Sequence, residues 1–252
     1  MQYMVLQRTE ADAHAPLPGM TLLEPASGAV RLHIEPGQVV ISEGPFEDGH
    51  TIGGFTVIDA ASKEDALAQL RDWPLPEGAE LEVRMSGCPG GCASVQPAAP
   101  AHPQATRYVV LLRSSPDLEA EAAVPQAVLD ALDAHNAVEA RAGVLVAADG
   151  LRSTHSGARL KVAAGKRAVL DGPFTEIKEL IAGYWMIQVP SLEAALAWAK
   201  RNPYPSGPVV DVEIRAVRDR AAPAFTDDVR AAEQGMRAQQ LESAMRAQLA
   251  GR

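Results

Sequence analysis

The stretch DGPFTEIKELIAGYWMIQV, residues 171–189, decides how this chain is read. An Asp-Gly-Pro turn leads into a mostly apolar run rich in β-branched and aromatic residues, the pattern of a strand entering a sheet core. The Pro that follows closes the strand. A close echo, EGPFEDGHTIGGFTVIDA, occupies residues 43–60, so the chain carries the same turn-then-strand twice.

Other correspondences follow in the same order: MQYMVLQR (1–8) with TRYVVLLR (106–113), SGAVRLHIEPGQVVISEGPF (27–46) with SGARLKVAAGKRAVLDGPF (156–174), GGFTVIDAASKEDALAQL (53–70) with AGYWMIQVPSLEAALAWA (182–199), and LEVR (81–84) with VEIR (212–215). Ordered matches of this kind are the sequence mark of an internal repeat. In the second copy, residues 106–113 read as a strand. Residues 121–142 read as a helix with Val128, Leu132, His135 and Val138 on its apolar face. Residues 144–150 form a second strand, and 158–172 a hairpin turning at Ala164–Gly165. After the long strand, Ser191 caps the helix SLEAALAWAKRN, and VVDVEIRAV closes the unit. This is an α+β, split-βαβ, ferredoxin-like layout with helices on one face of an antiparallel sheet. The first copy has only TEADAHAPLP where the first helix should stand, and its prolines exclude one of useful length.

The expected organisation is a degenerate repeat at 1–86, a Gly/Pro/Ala-rich linker at 87–105, a complete unit at 106–218 and a helical tail at 219–252. Thr226 and two Asp open the tail helix, and Val229, Met236, Leu241, Met245 and Leu249 form its stripe. It is a cover for the sheet left bare in the first copy, or a solvated or oligomer-forming helix.

Composition narrows the class of function. A formal net charge of −9 argues against a nucleic-acid partner, since phosphate contacts need clustered bases. No apolar run approaches a membrane span, and the first residues lack the pattern of a signal peptide, so the expectation is a cytoplasmic protein. No Gly-rich phosphate loop, Ser-centred elbow or multi-His cluster calls for a cofactor or metal. Cys88 and Cys92, with His102, fall short of a zinc set and read as linker residues or a dithiol.

The residues DGPFTEIKE, AGYWMIQV, SLEAALAWAKRNP and VEIRAV together resemble the YCII-related family in its DGPF-motif branch. The resemblance covers 106–218 well and 1–86 more weakly. It implies the dimeric α/β-barrel superfamily fold, which two tandem units of one chain would build internally. Some YCII-like proteins are small-molecule enzymes, such as a dehydrochlorinase of hydroxylated aromatics, that use a His–Asp pair. The DGPF branch is also associated with alternative sigma factors. The expected function is therefore a small-molecule binder or lyase/isomerase-type enzyme. The alternative is a non-catalytic regulatory or protein-interaction module with a protein partner or homodimer.

Asp171 is the first candidate acid or base: a carboxylate beside a Gly-Pro turn and near Phe174, Tyr184 and Trp185, where burial would tune its proton affinity. Its other reading is a turn-capping residue. Glu43 holds the matching place. The family's motif His falls near Leu132; His135 lies about one turn later, as a core or shifted functional histidine. His155 is a second candidate, since the hairpin register sets Ala158 opposite Asp171. If the cleft takes an anion, Arg159 and Lys178 are its contacts.

Overall fold

The computed structural model describes residues 1–10, 17, 19–46, 50–87, 95, 105–176 and 179–218. The expected tail helix, most of the linker with both cysteines and His102, residues 11–16 and 18 of the stretch where the first helix is missing, and Lys178 lie outside the described residues. Met1–Arg218 form one compact unit.

The chain runs β1 (Gln2–Glu10), β2 (Thr21–Leu22), a 3-10 turn (Ala26–Gly28), β3 (Val30–Glu35), β4 (Gln38–Glu43), β5 (His50–Asp59), α1 (Lys63–Leu70) and β6 (Glu80–Met85). It continues with β7 (Thr106–Arg113), α2 (Pro116–Glu119), α3 (Gln126–Arg141), β8 (Leu145–Gly150), a second 3-10 turn (Thr154–Ser156), β9 (Ala158–Ala163), β10 (Lys166–Asp171), β11 (Ile181–Val189), α4 (Leu192–Arg201) and β12 (Val210–Ala216). Local chemistry sets the boundaries. Ser62 and Ser191 accept the N–H groups of Asp65 and Ala194 at the starts of α1 and α4, satisfying donors that have no partner within the helix. The β9–β10 hairpin turns at Ala164 and Gly165, both with positive φ, as a tight two-residue connection requires. Asp171 then pairs with Ala158, the register read from the sequence.

Two antiparallel sheets result, in the orders β10-β9-β6-β1-β5-β2 and β4-β3-β12-β7-β11-β8. Each contains a hairpin from the other half of the chain. β9 pairs with β6, and β3 pairs with β12. This exchange was not expected from the sequence, which placed each hairpin within its own unit. Side chains secure the β9–β10 crossing. Glu77 accepts the N–H of Gly165 at 3.1 Å and that of Ala164. Arg167 donates to the carbonyls of Leu70, Arg71 and Trp73. The hairpin thus brings a cation to the end of α1, where exposed carbonyls carry partial negative charge.

The sheets pack face to face over Met4, Leu6, Phe55, Val109, Leu111, Tyr184 and Met186. On the outer faces, Leu67 and Leu70 of α1 pack over the first sheet, and Leu132, Trp198 and Ala199 of α3 and α4 over the second. Isolated bridges Leu23–Val217 and Ser86–Leu151 tie the sheets together at two corners. Among the described residues the ladders form two sheets and no closed barrel. The buried face of α3 is Leu129, Leu132, Asn136 and Ala140, while Val138 is exposed; the expected stripe was therefore misplaced around the helix. No described helix is long and apolar enough to cross a membrane.

Candidate functional site

The Gly-Pro motif is built into the scaffold at both of its occurrences. Gly44-Pro45 and Gly172-Pro173 are both cis, and each glycine lies against the 3-10 turn of its own half. A Cβ on Gly172 would overlap the carbonyl oxygen of Thr154 and stand 2.8 Å from its carbon; one on Gly44 would likewise overlap the carbonyl oxygen of Ala26, 3.2 Å from its carbon. Only glycine permits that approach. The Phe174 N–H donates to Thr154 Oγ1 at 3.2 Å, and that hydroxyl donates to Glu119 Oε2 at 2.7 Å. Burial alone would raise the Glu119 carboxyl, but hydrogen bonds from Thr154 and Ser114, with the charge of Arg84, together hold it below its ordinary value.

The phenylalanine of each motif supports a guanidinium. Arg159 lies 3.9 Å above the Phe174 ring and Arg31 lies 3.8 Å above Phe46, a favourable cation–π arrangement. Arg159 also donates to Glu82 at 3.0 Å and Glu176 at 3.2 Å. Glu82 is almost fully buried and accepts from Arg8 at 3.4 Å and Arg84 at 3.1 Å as well. Glu213 repeats this pattern with Arg31, Arg113 and Arg215. Charges this deep persist because each carboxylate is surrounded by donors.

Asp171 does not lie in a cleft. The exchanged hairpin carries it to the edge strand of the first sheet, where its side chain is 70% exposed and Lys63 Nζ lies 2.7 Å away. Glu43 is likewise exposed on an edge strand. His155 is exposed on the second 3-10 turn. His135 packs between α3 and α4 with its ring 5.5 Å from that of Trp198; burial lowers its proton affinity, and the neighbouring charges matter less. The expected His–Asp pair is therefore not brought together, since His135 belongs to the helix layer of the second sheet and Asp171 to the rim of the first.

Two predicted residues do meet at a cavity. Tyr184 and Trp185, neighbours on β11 whose side chains point to opposite faces of the sheet, help to wall a cavity of about 420 Å³ that wraps around the edge strand β8, within the range typical of small-molecule sites. Its walls are mostly apolar, with Val57, Leu118, Val124, Leu132, Ala148 and Leu151 among them. Trp185 Nε1 donates to Asn136 Oδ1 at 3.2 Å, and the Trp185 ring meets Tyr204 edge-on. Tyr184 packs against Phe55.

The chemical group at the wall is Asp149, paired with Tyr184 across the β8–β11 ladder. Burial pushes its carboxyl above the ordinary carboxylate value, against the opposing pull of the Gly150 and Gly87 N–H groups and the Ser86 hydroxyl. Burial, with Asp149 as a second cause, pushes the Tyr184 phenol up to about 12. At neutral pH the phenol is therefore a donor facing a carboxylate with increased basicity. The sequence reading missed Asp149 and Asn136. The available signal for Asp149 was an aspartate alternating in step with Ala147 in VLVAADG, at a place where an inward-facing position should be apolar. No group of three or more His, Cys, Asp or Glu among the described residues is placed to hold a metal.

The fold and this cavity define an α+β protein with a site of small-molecule size. Residues 106–218 match the model of the YCII-related domain. Over 47 residues the chain is 43% identical to an uncharacterised protein of Rhizobium meliloti (strain 1021). That alignment takes in 19% of this chain and 38% of the Rhizobium protein, so it spans little more than a third of the curated relative.

Proposed function

We propose that the protein binds a small, largely apolar molecule in the cavity beside β8. There it would use Asp149 as general acid or base in a lyase- or isomerase-type proton transfer, with the Tyr184 hydroxyl as the accompanying donor. The observation that carries this reading is a desolvated carboxylate opposite a phenol on the wall of a mostly apolar cavity. A carboxylate whose proton affinity is raised towards neutrality is a better general base, because it combines availability with driving force. Fold alone would not support the assignment. In this reading the two halves are copies of one YCII-type unit of the DGPF branch. The paired Gly-Pro turns, the Arg-over-Phe contacts and the Glu-with-three-Arg clusters support that view.

The test is a fragment screen read by calorimetry. Fragments should bind the wild type and be excluded by Ala147→Trp, which lies at the cavity wall in step with Asp149 on the same face of β8. If no fragment binds below about 1 mM, or if Ala147→Trp binds equally well, the reading fails.

A second reading, an interaction module, is favoured by β4. It is an edge strand that exposes Val39, Val40 and Ile41, and unpaired edges with apolar side chains invite association. Light scattering would show a concentration-dependent oligomer abolished by Val40→Lys, or else a monomer that removes this reading.

A further inference from the structure

The cavity's charge has a consequence for its ligand. The side chains that line it and could carry charge are Asp149 and Glu121, and no Lys, Arg or His is among the described residues that line it. Glu121 is already committed, because it pairs with the guanidinium of Arg152 and accepts the Ser153 N–H at 3.0 Å. Asp149 differs. Its neighbours supply dipoles from Gly150, Gly87 and Ser86 and no cation among the described residues. A carboxylate in that setting lacks the partner that usually compensates for burial. Tyr184, on the same sheet face as Asp149, adds a ring, whose face attracts cations and repels anions. Arg159, the expected anion contact, lies away from the cavity and is held by Glu82, Glu176 and Phe174.

We infer that the ligand is a primary or secondary amine on a small apolar body, bound as its ammonium against Asp149. The inference rests on the cavity being the ligand site, as proposed above. The ammonium supplies the missing countercharge and forms charge-assisted hydrogen bonds, roughly twice as strong as neutral ones, while the apolar walls take the body. A carboxylate or phosphate ligand would meet an uncompensated like charge at this wall.

The experiment titrates the full-length protein with three probes of one shape: phenethylamine, phenethyl alcohol and 3-phenylpropionate. Calorimetry reports the binding. Near pH 7 the amine should bind at least about tenfold more tightly than the alcohol, and the carboxylate should not bind measurably. In Asp149→Asn the amine should lose that advantage while the alcohol stays within about threefold of wild type. The amine's affinity should rise with pH through the titration of Asp149, because the ionised form is the one it binds. If the alcohol matches the amine, or if the carboxylate binds, the ammonium inference is overturned and the cavity reading survives. If none of the three binds, or if all bind Ala147→Trp as they bind wild type, both fall.

Discussion

Gly172→Ala tests whether the motif glycine exists for backbone approach or for chemistry. The added Cβ would overlap the Thr154 carbonyl oxygen and lie 2.8 Å from the carbonyl carbon, against about 3.5–4.0 Å for carbon atoms in favourable contact. Both atoms are main chain, so no rotamer change relieves the clash. The turn must separate from residues 154–157. Forced overpacking of this kind costs about 1–3 kcal/mol. The separation also strains the Gly172 N–H to Gly157 bond at 3.1 Å and the Phe174 N–H to Thr154 bond at 3.2 Å, each contributing about 1 kcal/mol. A total of about 3 kcal/mol should lower Tm by roughly 6–12 °C in a unit of this size. Gly207→Ala is the control, because its Cβ meets nothing within 4 Å and its φ is not positive. That variant should be neutral or gain a few tenths of a kcal/mol, about what a stiffer unfolded chain provides. Scanning calorimetry of wild type and both variants decides the matter. Equal Tm for Gly172→Ala and Gly207→Ala would refute the close-approach argument.

Other substitutions separate buried from exposed charge. Glu82→Ala leaves the guanidinium groups of Arg8, Arg84 and Arg159 without their shared carboxylate, and chemical denaturation should show a loss of about 3–5 kcal/mol. Asp171→Asn removes only the exposed pair with Lys63 and should cost under about 1 kcal/mol; a larger loss would mean that the motif carboxylate has a structural role not visible at the rim. Asp149→Asn concerns pH. The native state holds this proton more tightly than the unfolded chain, whose ordinary value is 3.8. Stability therefore falls as pH rises from that value through the raised native one, and stays lower above it. The variant lacks this penalty, so Tm measured from about pH 4 to about pH 8 should show a gap in its favour that opens with pH. A gap that does not change with pH would contradict the assignment.

Much of the fold was legible because local rules agreed with one another. The Ser191 cap, the Ala164–Gly165 turn and the β-branched runs placed the strands, α4 and the hairpin register where they occur. The exchange of hairpins was not legible. Period-two patterning specifies that β9 has a buried face and does not specify which sheet buries it. That ambiguity also explains the site. Asp171 was expected near Tyr184 because the two are close in sequence, but the crossing takes Asp171 to the rim of the other sheet while Tyr184 stays at the cavity. The face of α3 was misread for a different reason. Asn136 points inward because Trp185 offers it a partner, and a polar residue with a buried partner looks like a surface residue in a hydrophobicity pattern.

The crossing hairpins also bear on the order in which the chain can fold as it is made. The strands β1, β5 and β6 come from the first 85 residues, but the sheet they belong to is finished by β9 and β10, from residues 158–171. A nascent first half emerging from the ribosome would hold β6 with an open edge until about seventy more residues had been translated, on the order of several seconds at typical elongation rates. The second sheet waits in the opposite sense, because β3 and β4 are made early and must remain unpaired with β12 until it appears near the end. Neither half can close its sheet alone, so the native state is reached by both halves together.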